Sequence, residues 1–153
     1  MTCYYLDASA LVKRYVNETG SKWLRDIVAP EQTPLLFTSR MTIIEVISAF
    51  TRRVRDGSLA HADFALARDA FRSDCLNDYQ IIPPSIAVVD QACHLLEQYP
   101  LRAYDATHLA TALSVQTFLA KKNYPALTFL SADQRLNHAA TTENLVVDDP
   151  NHH

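Results

Sequence analysis

The hydrophobic and polar positions of this chain follow two alternating patterns: short apolar runs, and longer segments with apolar residues at helical spacing. Short runs of apolar and β-branched residues predict buried strands at Cys3–Leu6, Leu35–Thr38, Tyr79–Ile82, Leu127–Leu130 and Leu145–Val147. The segments between them predict helices at Ala10–Tyr15, Ser21–Val28, Thr42–Asp56, His61–Leu76, Ile86–Tyr99, Tyr104–Lys122 and Asp133–Ala140. Strands that alternate with helices predict an α/β fold, in which helices cover both faces of a central, mainly parallel sheet of four to five strands.

The length of the chain suits one domain with a substantial core. No linker, repeat or low-complexity tract interrupts the pattern, so we expect residues 1–149 to form that domain. Residues 150–153 are set aside as a C-terminal tail, because the closing His152 and His153 are equally compatible with a native end and with the remnant of a purification tag.

Composition excludes several classes of function. The only glycines are Gly20 and Gly57, so no glycine-rich loop can cradle a nucleotide phosphate. Cys3, Cys75 and Cys93 are odd in number and far apart, which predicts reduced thiols and argues against a zinc site. No apolar stretch is long enough to cross a bilayer, and no signal segment begins the chain, so we expect a cytoplasmic location without membrane contact. The formal net charge of −3 argues against a basic coat over the whole surface but allows a concentrated acidic site.

Two acidic residues stand where apolar strands end. Asp7 follows the first predicted strand, and Asp133 follows the fourth after a small polar stretch. Parallel strands deliver their carboxyl ends to one edge of a sheet, where ligands and metals bind. Each aspartate could equally be the N-cap of the next helix, since Asp is a favoured capping residue.

Two further acids lie near the beginnings of predicted helices. Glu45 interrupts the apolar segment MTIIEVISAF, where it either faces a cleft or occupies the solvent stripe of the helix. Asp105 opens the helix at YDATHLATAL, where a simple N-cap is again the alternative. If all four acids face one cleft, their mutual repulsion requires a counterion. Carboxylate ligands without Cys or His select a hard ion such as Mg²⁺ or Mn²⁺, which can activate a water for phosphoryl transfer.

The motifs YYLDASALVKRY, SRMTIIEVISAF, LRAYDATHLATAL and LTFLSADQRL resemble the four acidic motifs of the PIN-domain nucleases, most closely the VapC-type toxins of toxin–antitoxin pairs. The resemblance runs from Tyr4 to about Val147 with motif order and spacing intact. Any one of these motifs is weak evidence, whereas four in order are specific.

The resemblance implies a three-layer α/β/α sandwich and Mg²⁺-dependent endoribonuclease activity, with Mn²⁺ as a substitute. It also implies an RNA substrate, a homodimer and a cognate antitoxin protein. Carried over by motif, the catalytic and metal-binding residues would be Asp7, Glu45, Asp105 and Asp133. Ser9 and Ser131 match small polar residues of the first and fourth motifs, and we expect them to support the acids by hydrogen bonding.

Other polar residues have a structural and a functional interpretation. For His108 we favour a helix-surface or hydrogen-bonded position over substrate contact, and for Glu18 a local structural role. Several cations could either stabilise helix ends or flank the acidic cleft and hold phosphates: Lys13, Arg14, Arg40, Arg52, Arg53 and Arg55. Three tyrosines are expected in or against the core: Tyr4, Tyr5 and Tyr15.

Alternative functions remain open from the residues. A phosphatase with Asp7 as phosphorylated nucleophile would usually carry a second Asp at position 9, where this chain has Ser9. A phosphate-accepting receiver module would place a second acid beside Asp7, which is absent. A catalytically inactive PIN-like binding protein is the third alternative, although it has no need of four acids. The apolar faces of residues 21–28 and 42–76 could receive an antitoxin segment.

Overall fold

A computed structural model describes residues 1–153 and contains one five-stranded sheet. The strands are β1 (Cys3–Leu6), β2 (Leu35–Ser39), β3 (Tyr79–Ile82), β4 (Leu127–Leu130) and β5 (Val146–Asp148). Their order across the sheet is β3-β2-β1-β4-β5, and every neighbouring pair is parallel. β1 is central, so the residue after its last position lies between the ends of β2 and β4.

Seven α-helices connect and cover the strands. They are α1 (Ala8–Tyr15), α2 (Ser21–Ile27), α3 (Met41–Arg55), α4 (His61–Asn77), α5 (Ile86–Gln98), α6 (Ala103–Lys121) and α7 (Gln134–Thr142). Short 3-10 turns occur at Pro30–Gln32 and Pro150–His152. Because each helix that follows a strand begins near that strand's carboxyl end, the helix N-termini and the strand ends share one edge.

Two separate hydrophobic clusters lie on opposite faces of the sheet. One joins Tyr5 and Phe129 of the strands to α5, α6 and α7. The other joins Leu6 and Leu36 to α1 through α4, with Phe50 buried at its centre. Strands that are buried on both faces read as nearly continuous apolar runs, which is why the strand positions are visible in the sequence. The predicted three-layer α/β/α sandwich with a parallel sheet is confirmed.

Predicted element boundaries differ from the structure by at most two residues. The largest differences are at the start of α1, which begins at Ala8 and not at Ala10 because Asp7 caps it directly, and at the end of α7, which runs to Thr142 and not to Ala140. β5 is shifted by one residue, and Leu145 is buried just before it. The differences are confined to element ends, where caps set the boundary.

A polar network fastens α1 to α4. Arg14 donates to Tyr79 Oη at 2.8 Å and to Asp78 Oδ2 at 2.9 Å, and it lies 3.4 Å from Asp74 Oδ2. Tyr15 donates to the same Asp74 oxygen at 2.6 Å. Burial raises the pKa of Tyr15 well above its ordinary value, so its hydroxyl stays protonated. The guanidinium of Arg14 is therefore held by this network.

The last residues of the chain pack against α2. His153 stacks on the Trp23 ring at a centroid distance of 3.9 Å, and Pro150 is buried. The Pro150 carbonyl lies against Gly20, whose φ of +81° places it in the left-handed region. The three cysteines are free thiols. No helix is both long enough and apolar enough to span a membrane.

Candidate functional site

Asp7 lies at the carboxyl end of the central strand and is 4% exposed. Its Oδ1 accepts hydrogen bonds from Ala10 N at 2.9 Å and from Ser9 Oγ at 2.7 Å. Its Oδ2 accepts from Ser131 Oγ at 2.7 Å, which links the ends of β1 and β4. Burial raises the pKa of Asp7, while the charge of His108 and these hydrogen bonds lower it in part. Asp7 is thus both the N-cap of α1 and a buried charge held in a fixed orientation.

Ser131 and Asp133 follow β4 at the same edge. The Ser131 hydroxyl is fully buried and accepts from Asp133 N at 3.1 Å while it donates to Asp7. Asp133 caps α7 through Oδ1, which accepts from Arg135 N and Leu136 N. Asn137 donates to the Ser131 carbonyl at 2.7 Å. Sequence reasoning did not identify Asn137, and no motif marks it.

Two buried threonines position α3 relative to β1. Thr38 Oγ1 donates to the Leu6 carbonyl at 2.7 Å and also lies 2.7 Å from Thr42 Oγ1. The strand end of β2 and the first turn of α3 are thereby tied to the residue just before Asp7. This contact brings Glu45, one turn further along α3, toward the same edge.

Glu45 is paired with His108 of α6. His108 is 1% exposed, its Nε2 lies 2.6 Å from Glu45 Oε1, and its Nδ1 lies 2.9 Å from Tyr5 Oη. Burial alone lowers the pKa of His108, but the hydrogen bond and charge of Glu45, with the charges of Asp7 and Asp105, raise it above its ordinary value. His108 is therefore hydrogen-bonded, as predicted, and is not on the helix surface.

Asp105 lies in the first turn of α6 but does not occupy the N-cap. Arg102 is the N-cap residue, and its backbone N–H donates to Asp105 Oδ2 at 3.3 Å. Burial raises the pKa of Asp105, and the charges of Asp133 and Glu45 raise it further, against the effects of this hydrogen bond and of His108. The N-cap alternative for Asp105 is wrong because the helix begins two residues earlier.

All four acids lie near the carboxyl edge of the sheet, where the charges of Asp133 and Glu45 act on Asp105, but no group of three or more His, Cys, Asp or Glu side chains is arranged to hold a metal ion. The chemical type of the free donor atoms is nevertheless the one that a hard divalent cation prefers. Asp105 Oδ1, Asp133 Oδ2 and Glu45 Oε2 accept no hydrogen bond within the protein. Oxygen donors of this kind suit Mg²⁺ and Mn²⁺.

A cleft of about 660 Å³ adjoins the acids. Its acidic side is formed by Glu45 with Ser9 and Ala132, and its other walls carry Lys13, Glu18, Arg52, Arg53 and Arg102. Ile44 and Tyr104 lie at its surface.

The basic residues of this region divide into paired and unpaired groups. Glu18 Oε1 and Oε2 bind Lys13 Nζ at 3.3 Å and Arg53 Nη2 at 3.0 Å, so Glu18 connects α1 and α3 in the local role expected for it. Arg52 lines the same cleft and takes no part in these ion pairs. Arg14 is directed to Asp74 and Asp78, so of the two interpretations given for this residue the structural one applies.

Comparison with known sequences identifies relatives over most of the chain. Residues 4–141 match the PIN domain family. Ribonuclease VapC45 and Ribonuclease VapC49, from two strains of Mycobacterium tuberculosis, are each 30% identical over 140 residues. The alignments cover 92% of this chain and 90% of each relative.

Solved structures share the fold at lower sequence identity. VapC20 of Mycobacterium tuberculosis, described as a sarcin-ricin loop cleaving toxin, superposes with a TM-score of 0.61 at 17% identity, over 89% of this chain and 94% of that one. VapBC2 of Rickettsia felis, bound to a DNA fragment from its promoter, gives 0.61 at 16%, over 97% and 98%. At these low sequence identities the superpositions show a shared fold only.

Proposed function

This chain belongs to the PIN-domain family, with VapC ribonucleases among its relatives, and from that premise we propose that it is a Mg²⁺-dependent endoribonuclease and the toxin of a toxin–antitoxin pair. A divalent metal is general in this family. Mg²⁺ as the ion and the four acids as its site are part of the proposal.

The observation that carries the proposal is the position of Asp7. It ends the central strand, is almost fully buried, and receives hydrogen bonds from Ser9, Ala10 and Ser131. A buried carboxylate without a cation costs stability, and structures retain such groups mainly at functional sites. A bound metal ion would offset the free energy that burial of the Asp7 charge costs.

The residues would divide the chemistry between them. Asp7, Glu45, Asp105 and Asp133 would hold a divalent cation, which supplies an activated water and neutralises charge on a phosphodiester. Ser9 and Ser131 hold the Asp7 carboxylate in one orientation. His108 orients Glu45, and the unpaired Arg52 and Arg102 would contact RNA phosphates and set the register of the strand.

The proposed partners are an antitoxin and a second copy of the chain. A groove of about 530 Å³ between α1 and α4 is lined by the half-buried Leu59 and by Leu66, which is 72% exposed. An apolar helical segment of an antitoxin would fit such a groove. For a homodimer, α5 offers exposed Ile86 and Val89, and α6 offers Phe118.

The decisive experiment is RNA cleavage by Asp7→Asn and Asp105→Asn proteins, with Mg²⁺ and with EDTA. Both variants should remain folded and lose Mg²⁺-stimulated cleavage. Asp90→Asn is the matched control, because Asp90 is an exposed aspartate of α5 outside the site. Full activity in either site variant would rule out the proposed site. A stable aspartyl-phosphate on Asp7 after incubation with acetyl phosphate would favour a phosphatase or receiver-like protein instead.

A further inference from the structure

Two large apolar side chains are exposed in the cleft next to the acids. Ile44 is 58% exposed and directly precedes Glu45, while Tyr104 is 43% exposed and directly precedes Asp105. The Tyr104 hydroxyl makes no hydrogen bond within the protein. Exposed apolar groups are common on protein surfaces, but two of them lining one cleft beside buried charges indicate a binding surface.

The surroundings of this pair define the chemistry of its ligand. Arg52 and Arg102 line the same cleft with guanidinium groups that make no ion pair within the protein. Glu45 and Ser9 form its acidic side. A ligand that satisfies all three parts needs a flat apolar face, anionic groups near that face, and a reacting group that reaches the acids. A nucleotide within a polynucleotide strand has this composition.

We propose that Tyr104 and Ile44 form a nucleobase-binding subsite for an unpaired base of the RNA substrate, one that adjoins the phosphodiester to be cleaved. The Tyr104 ring stacks on the base, Ile44 provides an apolar contact, and Arg52 and Arg102 bind the flanking phosphates. This subsite rests on the proposed ribonuclease function and names the residues that would bind a base next to the cleaved bond.

The single-stranded form follows from the geometry of stacking. In a duplex each base is covered by its neighbours, so a protein ring can reach a base face only in a loop, bulge or single strand. Stacking is tolerant of base identity because every base has a π-face. The subsite therefore selects unpaired RNA over duplex RNA more strongly than it selects one base.

The first test measures binding without cleavage. Full-length protein in EDTA is titrated into a fluorescently labelled single-stranded RNA, and anisotropy is recorded. Tyr104→Ala should bind about tenfold more weakly, Ile44→Ala should lose less, and Tyr104→Phe should bind as the unmodified protein does, since the ring is retained. Tyr124→Ala and Val146→Ala are matched controls: Tyr124 is 42% exposed just before β4, at the opposite edge of the sheet, and Val146 is a β-branched residue of β5 that is 55% exposed.

The second test locates the base. A series of RNAs, each with one abasic position, is cleaved with Mg²⁺ by the unmodified protein and by Tyr104→Ala. At one position near the cut, the abasic RNA should remove the difference in KM between the two proteins. A difference that persists at every abasic position would overturn the stacking role.

The outcomes separate this subsite from the proposed function. Normal cleavage and binding by Tyr104→Ala would overturn the subsite and leave the ribonuclease intact. Tyr104-dependent binding of RNA by a protein that never cleaves would support the subsite while the catalytic proposal fails. Unchanged RNA binding with loss of antitoxin inhibition would assign the pair to protein recognition and overturn the subsite.

Discussion

Nε2 of His108 lies 2.6 Å from Oε1 of Glu45. His108 belongs to α6 and Glu45 to α3, so the contact joins two helices near the end of β1. An ionised carboxylate can only accept hydrogen bonds, so Nε2 must carry the proton in this contact. With a neutral imidazole, Nδ1 then accepts from the Tyr5 hydroxyl, which lies 2.9 Å away. The orientation of Glu45 is thus determined by a core tyrosine through a buried histidine.

This relationship predicts that His108→Ala weakens metal binding. Loss of a group that orients a metal-ligating side chain typically costs 10- to 100-fold in affinity or activity, so we expect the Mg²⁺ concentration for half-maximal cleavage to rise by about tenfold or more. Tyr5→Phe, which removes only the hydroxyl, should have a smaller effect in the same direction. His138→Ala serves as the control, because His138 is exposed on α7. An unchanged Mg²⁺ requirement in His108→Ala would mean that Glu45 needs no partner.

Asp7→Asn should stabilise the protein in the absence of metal. Burial raises the pKa of Asp7 above its unfolded value of about 3.9. Between the two pKa values the folded state binds more protons than the unfolded state, so the free energy of unfolding falls as pH rises through that window. Above the folded-state pKa the full penalty applies, and Asn removes it while it remains a good N-cap. We expect Tm in EDTA to rise by a few degrees at pH 7.

The Tm values of Asp7→Asn and of the unmodified protein should also be compared in Mg²⁺. Mg²⁺ should raise the Tm of the unmodified protein and leave that of Asp7→Asn nearly unchanged, since a ligand stabilises only the state that binds it. Asp90→Asn should behave as the unmodified protein in both conditions. A lower Tm for Asp7→Asn in EDTA would show that the charge contributes more through its hydrogen bonds than it loses by burial.

Ser131→Ala should lower the free energy of unfolding and remove one hydrogen bond that orients the Asp7 carboxylate. The Ser131 hydroxyl is fully buried and bonds both Asp7 Oδ2 and Asp133 N. Its removal leaves Asp7 Oδ2 with only the contact from Ser9 Oγ at 2.9 Å and leaves Asp133 N without its acceptor, and such a loss typically costs about 1–3 kcal/mol. Urea unfolding measures this cost against Ser114→Ala, a control on the exposed side of α6. Equal stability of the two variants would argue that water replaces the Ser131 hydroxyl.

The two glycines should respond differently to alanine. Gly20 and Gly57 have φ values of +81° and +82°, so Ala is strained at both by about 1–2 kcal/mol. At Gly20 a Cβ would also overlap the Pro150 carbonyl, whereas the space around Gly57 is open. Gly20→Ala should therefore cost about 1–3 kcal/mol more than Gly57→Ala in urea unfolding. Deletion of residues 150–153 should remove this excess, and an excess that survives the deletion would contradict the explanation.

The sheet was predictable because its strands are buried on both faces. Apolar runs such as Cys3–Leu6 and Leu127–Leu130 stand out against helical periodicity, and the structure contains both with the predicted bounds. Asp7 and Asp133 were visible as acids directly after such runs. Each also caps a helix, so the structural and the functional interpretations of these residues coexist.

The contacts within the site were less predictable. His108 Nε2 meets Glu45 across 63 positions of sequence, and no local pattern encodes that pairing. For Lys13 and Arg14 the sequence left both a structural place and a place at the cleft open; neighbouring residues of a helix point about 100° apart, and Lys13 lines the cleft whereas Arg14 reaches the end of α4. Tyr104 and Ile44 carried a readable signal that was overlooked: each is a large apolar residue immediately before an acid.

The hydrogen bond from Ser131 to Asp7 joins groups separated by 124 positions. It can form only after β4 has paired with β1. A prematurely terminated chain that lacks β4 would keep the first three acids but not the fourth, and its central strand would have lost one neighbour. Such fragments should be harmless to a cell, so toxicity would depend on translation continuing past β4 and Asp133.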